Sequence, residues 1–323
     1  MGRLSYYQRI FKAYLTQESS QLTFWHGEPL VNEGSSAEGI GEYYMPFIQK
    51  ANYPGHYDDA GIPLLDYHGR VGLRYNPIAI AQYGLGNYNL YRRTRKENRK
   101  SKFLCAADWL AQNLEKTAHG TRVWHHHFDW EYRDKLKAPW YSALAQGQGL
   151  SLLIRAHQET RKDSYLQAAH EALHTFKKDV KEGGVSYIDR KGHVWFEEAI
   201  VNPPTHILNG FIWAMWGIYD YFLYTADGEA RMLFREGVET LKANLSHFDA
   251  GFWSLYEQSG TRMKMLASPF YHKLHIVQLK VMHKLTHDEV FQYFAIRWEG
   301  YRRSWIKRMA AICHKACFKL VYY

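Results

Sequence analysis

The chain has 323 residues, of which 46% are hydrophobic and 16% aromatic, so it can bury one large core or two small ones. Three cysteines with no Cys-x-x-Cys pair exclude a disulfide framework and a zinc-ribbon pattern, and no apolar run is long enough to cross a membrane. A formal charge of +9 favours an anionic partner, whether nucleic acid, acidic lipid or acidic polysaccharide.

Residues 1–74 read as an arm that packs over the rest of the chain. Met1 to Glu18 alternates apolar and charged residues without a secretory h-region, and Asn52 to Asp66 is loop-like, with Pro54-Gly55, Asp58-Asp59 and Gly61. Asp58-Asp59 reads as a solvated turn rather than a calcium site. With the reduced thiols, this gives an expectation of cytoplasmic residence.

From Tyr75 onward one design recurs. Tyr75 to Gly84, Trp140 to Gly147, Pro204 to Gly210 and Tyr271 to Gln278 each put polar or aromatic residues just before an all-round apolar helix. Each helix carries an amide, Gln82, Gln146, Asn209 or Gln278, at steps of 64, 63 and 69 residues. That cadence implies a repeated unit.

Amphipathic helices lie between them. Phe103, Ala107, Leu110 and Leu114 form one apolar stripe; Leu166, Ala169, Leu173, Phe176 and Val180 form the next. Phe234, Val238, Leu241 and Leu245, then Phe291, Phe294, Trp298 and Tyr301, complete the set. Short β-prone stretches come after the first three: Thr121 to Tyr132, Val185 to Phe196 turning at Asp189 to Gly192, and His247 to Tyr256 turning at Asp249 to Gly251. The basic, apolar tail from Ile306 to Tyr323 reads as a docked terminal helix, with Cys313 and Cys317 on one face.

A helix apolar on all sides must be covered on all sides, whereas its partner keeps one face in water. Pairs of this kind in a ring give a predominantly α-helical (α/α) toroid, complete or incomplete, over residues 75–323, with short β-hairpins between pairs. The N-terminal ends of the inner helices then form a cup whose free N–H groups and partial positive charge suit carboxylates.

Several residues near those entrances could carry chemistry. Glu197 and Glu198 come just after the strand ending Trp195-Phe196, and a carboxylate among aromatics can act as an acid or base near neutral pH. Tyr256, Tyr271, His272 and His275 cluster at the last repeat, with Lys273 and Arg262 available to stabilise a phenolate. His272 and His275 share a helical face but show no third metal ligand. His125-His126-His127 reads as a strand triplet on a surface or substrate rim, since successive strand residues point to opposite faces. No phosphate-binding glycine motif or nucleophile elbow is present, and neither metal nor cofactor is expected.

Four runs resemble the catalytic C-terminal domain of D-glucuronyl C5-epimerases: Asn76 to Leu85, Trp140 to Gln148, Trp195 to Glu198 with Leu208 to Gly210, and Tyr271 to Leu279. The chain looks like a compact form that lacks the β-rich insertion between the first two. The resemblance implies cofactor-free inversion at C5 of glucuronate or a related uronate within an acidic polysaccharide, not nucleic acid, with a homodimer as a possible assembly. It implies catalytic roles for Glu198, Tyr271 and Tyr256. It also implies substrate contacts from Tyr75, Gln82, Tyr83, Trp140, Tyr141, Gln146, Glu197, Asn209, Arg262, His272 and His275. Two positions depart from the family pattern: Ala199 stands where a tyrosine is expected and Ser259 where an arginine is, leaving Arg262 or Lys264 as substitutes. A uronate lyase, a glycoside hydrolase pairing Glu198 with Asp129, and a non-catalytic acidic-glycan binder are the alternatives.

Overall fold

The computed structural model describes residues 24–25, 27–131 and 135–322. The arm before Phe24, including the stretch from Met1 to Glu18, and Tyr132 within the first aromatic stretch lie outside these residues.

Four inner helices carry the repeat: α2 (Pro77–Thr94), α4 (Ala143–Thr160), α6 (Leu208–Thr225) and α8 (Pro269–Thr286). Each is 18 residues long, and each ends on a left-handed residue: Arg95, Arg161, Ala226 and His287. These caps turn the chain sharply while their N–H groups close on the last turn. One residue later begins the N-cap of an outer helix: α3 (Glu97–Gln112), α5 (Asp163–His174), α7 (Gly228–Asn244) and α9 (Glu289–Arg303). The four apolar stripes fall on these outer helices or on the turns directly after them, and cover the inner ones. The tail forms α10 (Trp305–Tyr322), which buries Ala311 and Phe318 and sends the Lys315 ammonium to the Leu266 carbonyl at 2.7 Å.

The amides are not equivalent within the repeat, which corrects the expectation drawn from their spacing. Gln82 is the sixth residue of α2, and its side chain donates to Gln148, the sixth of α4, at 3.0 Å. Gln146 sits two residues earlier and faces outward. Its amide binds the Trp124 N–H at 3.0 Å and reaches the Arg122 carbonyl at 3.3 Å, so it fastens a loop.

Neighbouring inner helices touch in chain order, α2 to α4 to α6 to α8. Contact is tightest between α4 and α6, where a Cβ on Gly217 would stand 2.0 Å from the Gly147 carbonyl oxygen. The succession stops short of a closed ring, because α8 does not pack on α2 as neighbours do. The arm bridges that gap. Glu28 pairs with Lys273, and Ser35 accepts from Lys284 at 2.5 Å, both on α8. On the other side α1 (Ile48–Ala51) packs on α2, and the Tyr43 N–H donates to Asn89 at 2.7 Å. Tyr43, Tyr44 and Phe47 join the main hydrophobic core against Trp213 and Trp216 of α6. Beneath them Arg155 and Asp220 form a fully buried ion pair at 2.6 Å, with the Tyr44 hydroxyl on Asp220 at 2.8 Å.

The β-structure is sparser than expected. The arm holds β1 (His56–Tyr57), β2 (Pro63–Asp66) and β3 (Leu73–Arg74) in one antiparallel sheet. The stretch from Thr121 is not one hairpin. β5 (Arg122–Val123) pairs back with β4 (Glu115–Lys116), and β6 (Trp130–Glu131) pairs forward with β7 (Lys135–Leu136). The hairpin of β8 (Ser186–Ile188) and β9 (Val194–Phe196) forms where expected, with its turn at Asp189 to Gly192. The stretch from His247 makes only isolated bridges, Asp249 to Ser254 and Leu255 to Leu266.

Candidate functional site

The first turns of all four inner helices converge on one cavity of about 250 Å³. Asn76, Ile78 and Gln82 come from α2 and the residue capping it, and Leu144 from α4. Asn209 and Trp213 come from α6, and Phe270, Tyr271 and Leu274 from α8. A wall of rings closes one side: Tyr67 lies 4.5 Å from Phe128 and 5.5 Å from Trp130, and Trp140 lies 5.9 Å from Phe128. Such a wall matches the apolar face of a sugar ring.

Glu198 enters just past β9, and its carboxylate accepts from the Asn209 amide at 3.2 Å. Burial pushes its pKa up to about 8; the Asn209 hydrogen bond opposes this and the charge of Glu197 adds to it. Gly210 makes room for the carboxylate, because a Cβ there would lie 2.1 Å from a Glu198 oxygen. Tyr271, second in α8 after Pro269, packs edge-to-face on Tyr256 at 4.9 Å. Burial drives the Tyr271 phenol well above its usual range; Glu198 adds to this and a Tyr256 hydrogen bond opposes it. Tyr271 is therefore a phenol at neutral pH, not the phenolate that a cation was expected to stabilise. Glu198, Tyr256 and Tyr271 all line the cavity, together with Gln82, Trp140 and Asn209.

The other expected contacts lie elsewhere. Tyr75 is exposed, stacks beside Trp109 and binds Asp58 at 2.7 Å; Tyr83 is buried against Tyr57. Tyr141 borders a separate surface groove. Glu197 is spent inside the protein, bound to His206 Nδ1 at 2.5 Å. His272 and His275 share the Ser254 hydroxyl at 2.8 and 3.0 Å, and His272 stacks on Trp253, so both are core histidines. Arg262 is exposed and Lys264 borders a second groove, so neither reaches the cavity. Asp129 binds Lys137 at 2.6 Å outside the cavity, which removes it as a partner for Glu198 in hydrolysis. Ala199 packs with Leu136 and Ile207.

Lys50 is a site residue that motif spacing does not disclose. Among the described residues it is the one cationic side chain lining the cavity. It sits over the Phe24 ring at 4.5 Å and donates to the Phe24 carbonyl at 2.7 Å. Burial lowers its pKa to about 7. Nothing in the repeat pattern could reveal it, because it comes from the arm. Gly210, next to Asn209, was legible as a small residue but not as the seat of a carboxylate.

The cavity thus brings together a cup of helix N-termini, one raised carboxyl, paired tyrosines and an aromatic wall. Residues 118–300 match the family described as D-glucuronyl C5-epimerase C-terminus, and the chain belongs to that family. It is 32% identical over 222 residues to the D-glucuronyl C5-epimerase of Caenorhabditis elegans, covering 64% of this chain and 36% of the nematode enzyme. It is also 32% identical over 179 residues to an uncharacterised protein of Methanocaldococcus jannaschii, covering 54% of this chain and 56% of that protein. The chain thus spans about a third to a half of the length of these relatives. Among solved structures, the unsaturated glucuronyl hydrolase of Bacillus sp. GL1 aligns with a TM-score of 0.44 at 13% identity, over 74% of this chain and 60% of that one. That likeness is too loose to bear on function.

Proposed function

We propose that the protein is a uronate C5-epimerase acting on residues of an acidic polysaccharide, converting glucuronate to iduronate or a related pair. The observation that carries this reading is the meeting of Glu198 and Tyr271 in one aromatic-walled cavity whose only described cation is Lys50. The C5 hydrogen is α to the carboxylate, so its removal leaves an enolate whose charge must be met by donors. Lys50, Asn209 and Gln82 line the same cavity and would supply a cation and two amides to that carboxylate. In this arrangement Lys50 takes the part the family resemblance gave to an arginine at the position of Ser259.

Glu198 in its ionised form takes the C5 proton. Tyr271, held as a phenol, delivers a proton to the opposite face of the planar intermediate, and the Tyr256 hydrogen bond steadies the phenolate it leaves. The proton gained by Glu198 and the one lost by Tyr271 exchange with solvent before the next turnover. The reverse reaction exchanges the two roles. The cavity suits one sugar ring with its neighbours in the open mouth, consistent with a polymer substrate.

The test is incubation with uronate polymers in D₂O. Deuterium at C5 with inversion supports the proposal. An unsaturated uronate would make the protein a lyase, new reducing ends a hydrolase, and binding without any of these a glycan-binding protein; each outcome overturns the epimerase reading.

A further inference from the structure

The extended segment between β5 and β6, which adds Phe128 to the aromatic wall, has a second face. His126 turns inward and stacks on Trp140 with ring centroids 3.8 Å apart, and Phe128 lines the cavity. By the two-residue period of an extended chain, His125 and His127 turn the other way. Both meet Glu115 on the facing strand β4: His125 Nδ1 lies 2.9 Å from one carboxylate oxygen and His127 Nε2 lies 2.8 Å from the other. One nitrogen from each ring and a carboxylate oxygen all fall within 4.8 Å of one another. The alternation that argues against three consecutive histidines as a metal site is what brings the first and third together.

We propose that Glu115, His125 and His127 form a three-ligand site for a divalent ion of the Zn²⁺ class on the outer face of the cavity wall. Two imidazoles and one carboxylate are a donor set suited to Zn²⁺, whose bonds of about 2.0–2.1 Å place tetrahedral ligands roughly 3.4 Å apart. The present separations reach that geometry by small side-chain rotations, with the ion replacing the protons now shared between the rings and the carboxylate. His125 is 9% exposed and held edge-on against Tyr141 at 5.9 Å, which fixes one ligand in advance. Glu115 and His127 are 44% and 60% exposed, which leaves an entry path and a fourth position for water. The ion would tie β4 to the segment carrying His126 and Phe128, and so stiffen the wall on which a sugar would stack.

Titration of the full chain with ZnCl₂ by calorimetry, and with Co²⁺ by visible absorption, tests this. The expected result is one saturable equivalent, the visible bands of four- or five-coordinate Co²⁺, and a higher Tm on loading. His127→Ala and Glu115→Gln should each weaken binding by at least about tenfold and abolish the bands. His119→Ala, at an exposed histidine of the same hairpin, should leave both unchanged. Circular dichroism confirms that each variant is folded, which their surface positions favour. Failure to bind one saturable equivalent overturns the proposal. So does equal binding by the wild type and the two ligand variants, which would make the cluster an ion-paired clamp.

Discussion

At the residue scale two titrating groups face one cavity with opposite displacements. Glu198 is raised from 4.5 to about 8, so between those pH values the unfolded chain ionises while the folded one does not. The carboxyl therefore costs stability over that window, by on the order of 3 kcal/mol at pH 7. Glu198→Gln should raise Tm at pH 7, gain little at pH 4, and lose C5 exchange; a variant that melts earlier would show that the carboxyl is itself a net stabilising contact. Exchange in the wild type should climb as pH rises toward about 8, where the base form of Glu198 becomes populated. Lys50 runs the other way, since its pKa of about 7 makes it largely neutral above that pH in the empty cavity. A bound carboxylate restores its charge, so uronate binding at pH 8 should take up protons. That uptake can be measured by calorimetry in buffers of different ionisation enthalpy. Lys50→Met should reduce the uptake and weaken binding by about 10²-fold, the scale of a lost buried charge contact.

At the element scale, glycines decide how close the inner helices come to their neighbours. Gly210→Ala places a methyl where the Glu198 carboxylate sits, so we expect exchange to fall by about 10² or more while circular dichroism stays unchanged. Gly217→Ala instead forces α6 off α4 and should cost about 2–3 kcal/mol, read from denaturant midpoints. The helix pairs were legible in the sequence because apolar periodicity reports burial directly. The register between pairs was not. Spacing matched Gln146 to Gln82, yet the partner of Gln82 is Gln148, because α2 and α4 start at Pro77 and Ala143 and so place Gln82 and Gln148, not Gln146, at the same sixth position. Three of the left-handed caps, Arg95, Arg161 and Ala226, were hidden by chemistry: Arg and Ala do not advertise a left-handed turn as glycine does.

At the scale of the whole molecule, the arm is what completes the incomplete ring. Arg155 and Asp220 lie under it, each 1% exposed, with Arg155 also donating to the Gly41 carbonyl at 3.0 Å. Asp220→Asn leaves a buried guanidinium without its counter-charge and should cost about 3–5 kcal/mol, whereas Arg155→Met with Asp220→Leu should recover most of that loss. Equal destabilisation by the single and double changes would mean that packing, not charge, holds the arm. The family motifs marked three residues that line the cavity, Glu198, Tyr256 and Tyr271, but the arm's contribution was invisible to them. Lys50 and Trp25 reach the cavity through tertiary contacts that leave no local periodicity.

The cavity takes its walls from Trp25 at one extreme and Leu274 at the other, with every helix pair between them contributing. During translation, then, no ligand pocket exists until α8 has emerged and docked, and a fragment cut anywhere within that span forfeits the pocket even if its helices survive. Glycan binding by this chain would be a readout of completed folding, and co-expressed halves should regain it only on reassociation.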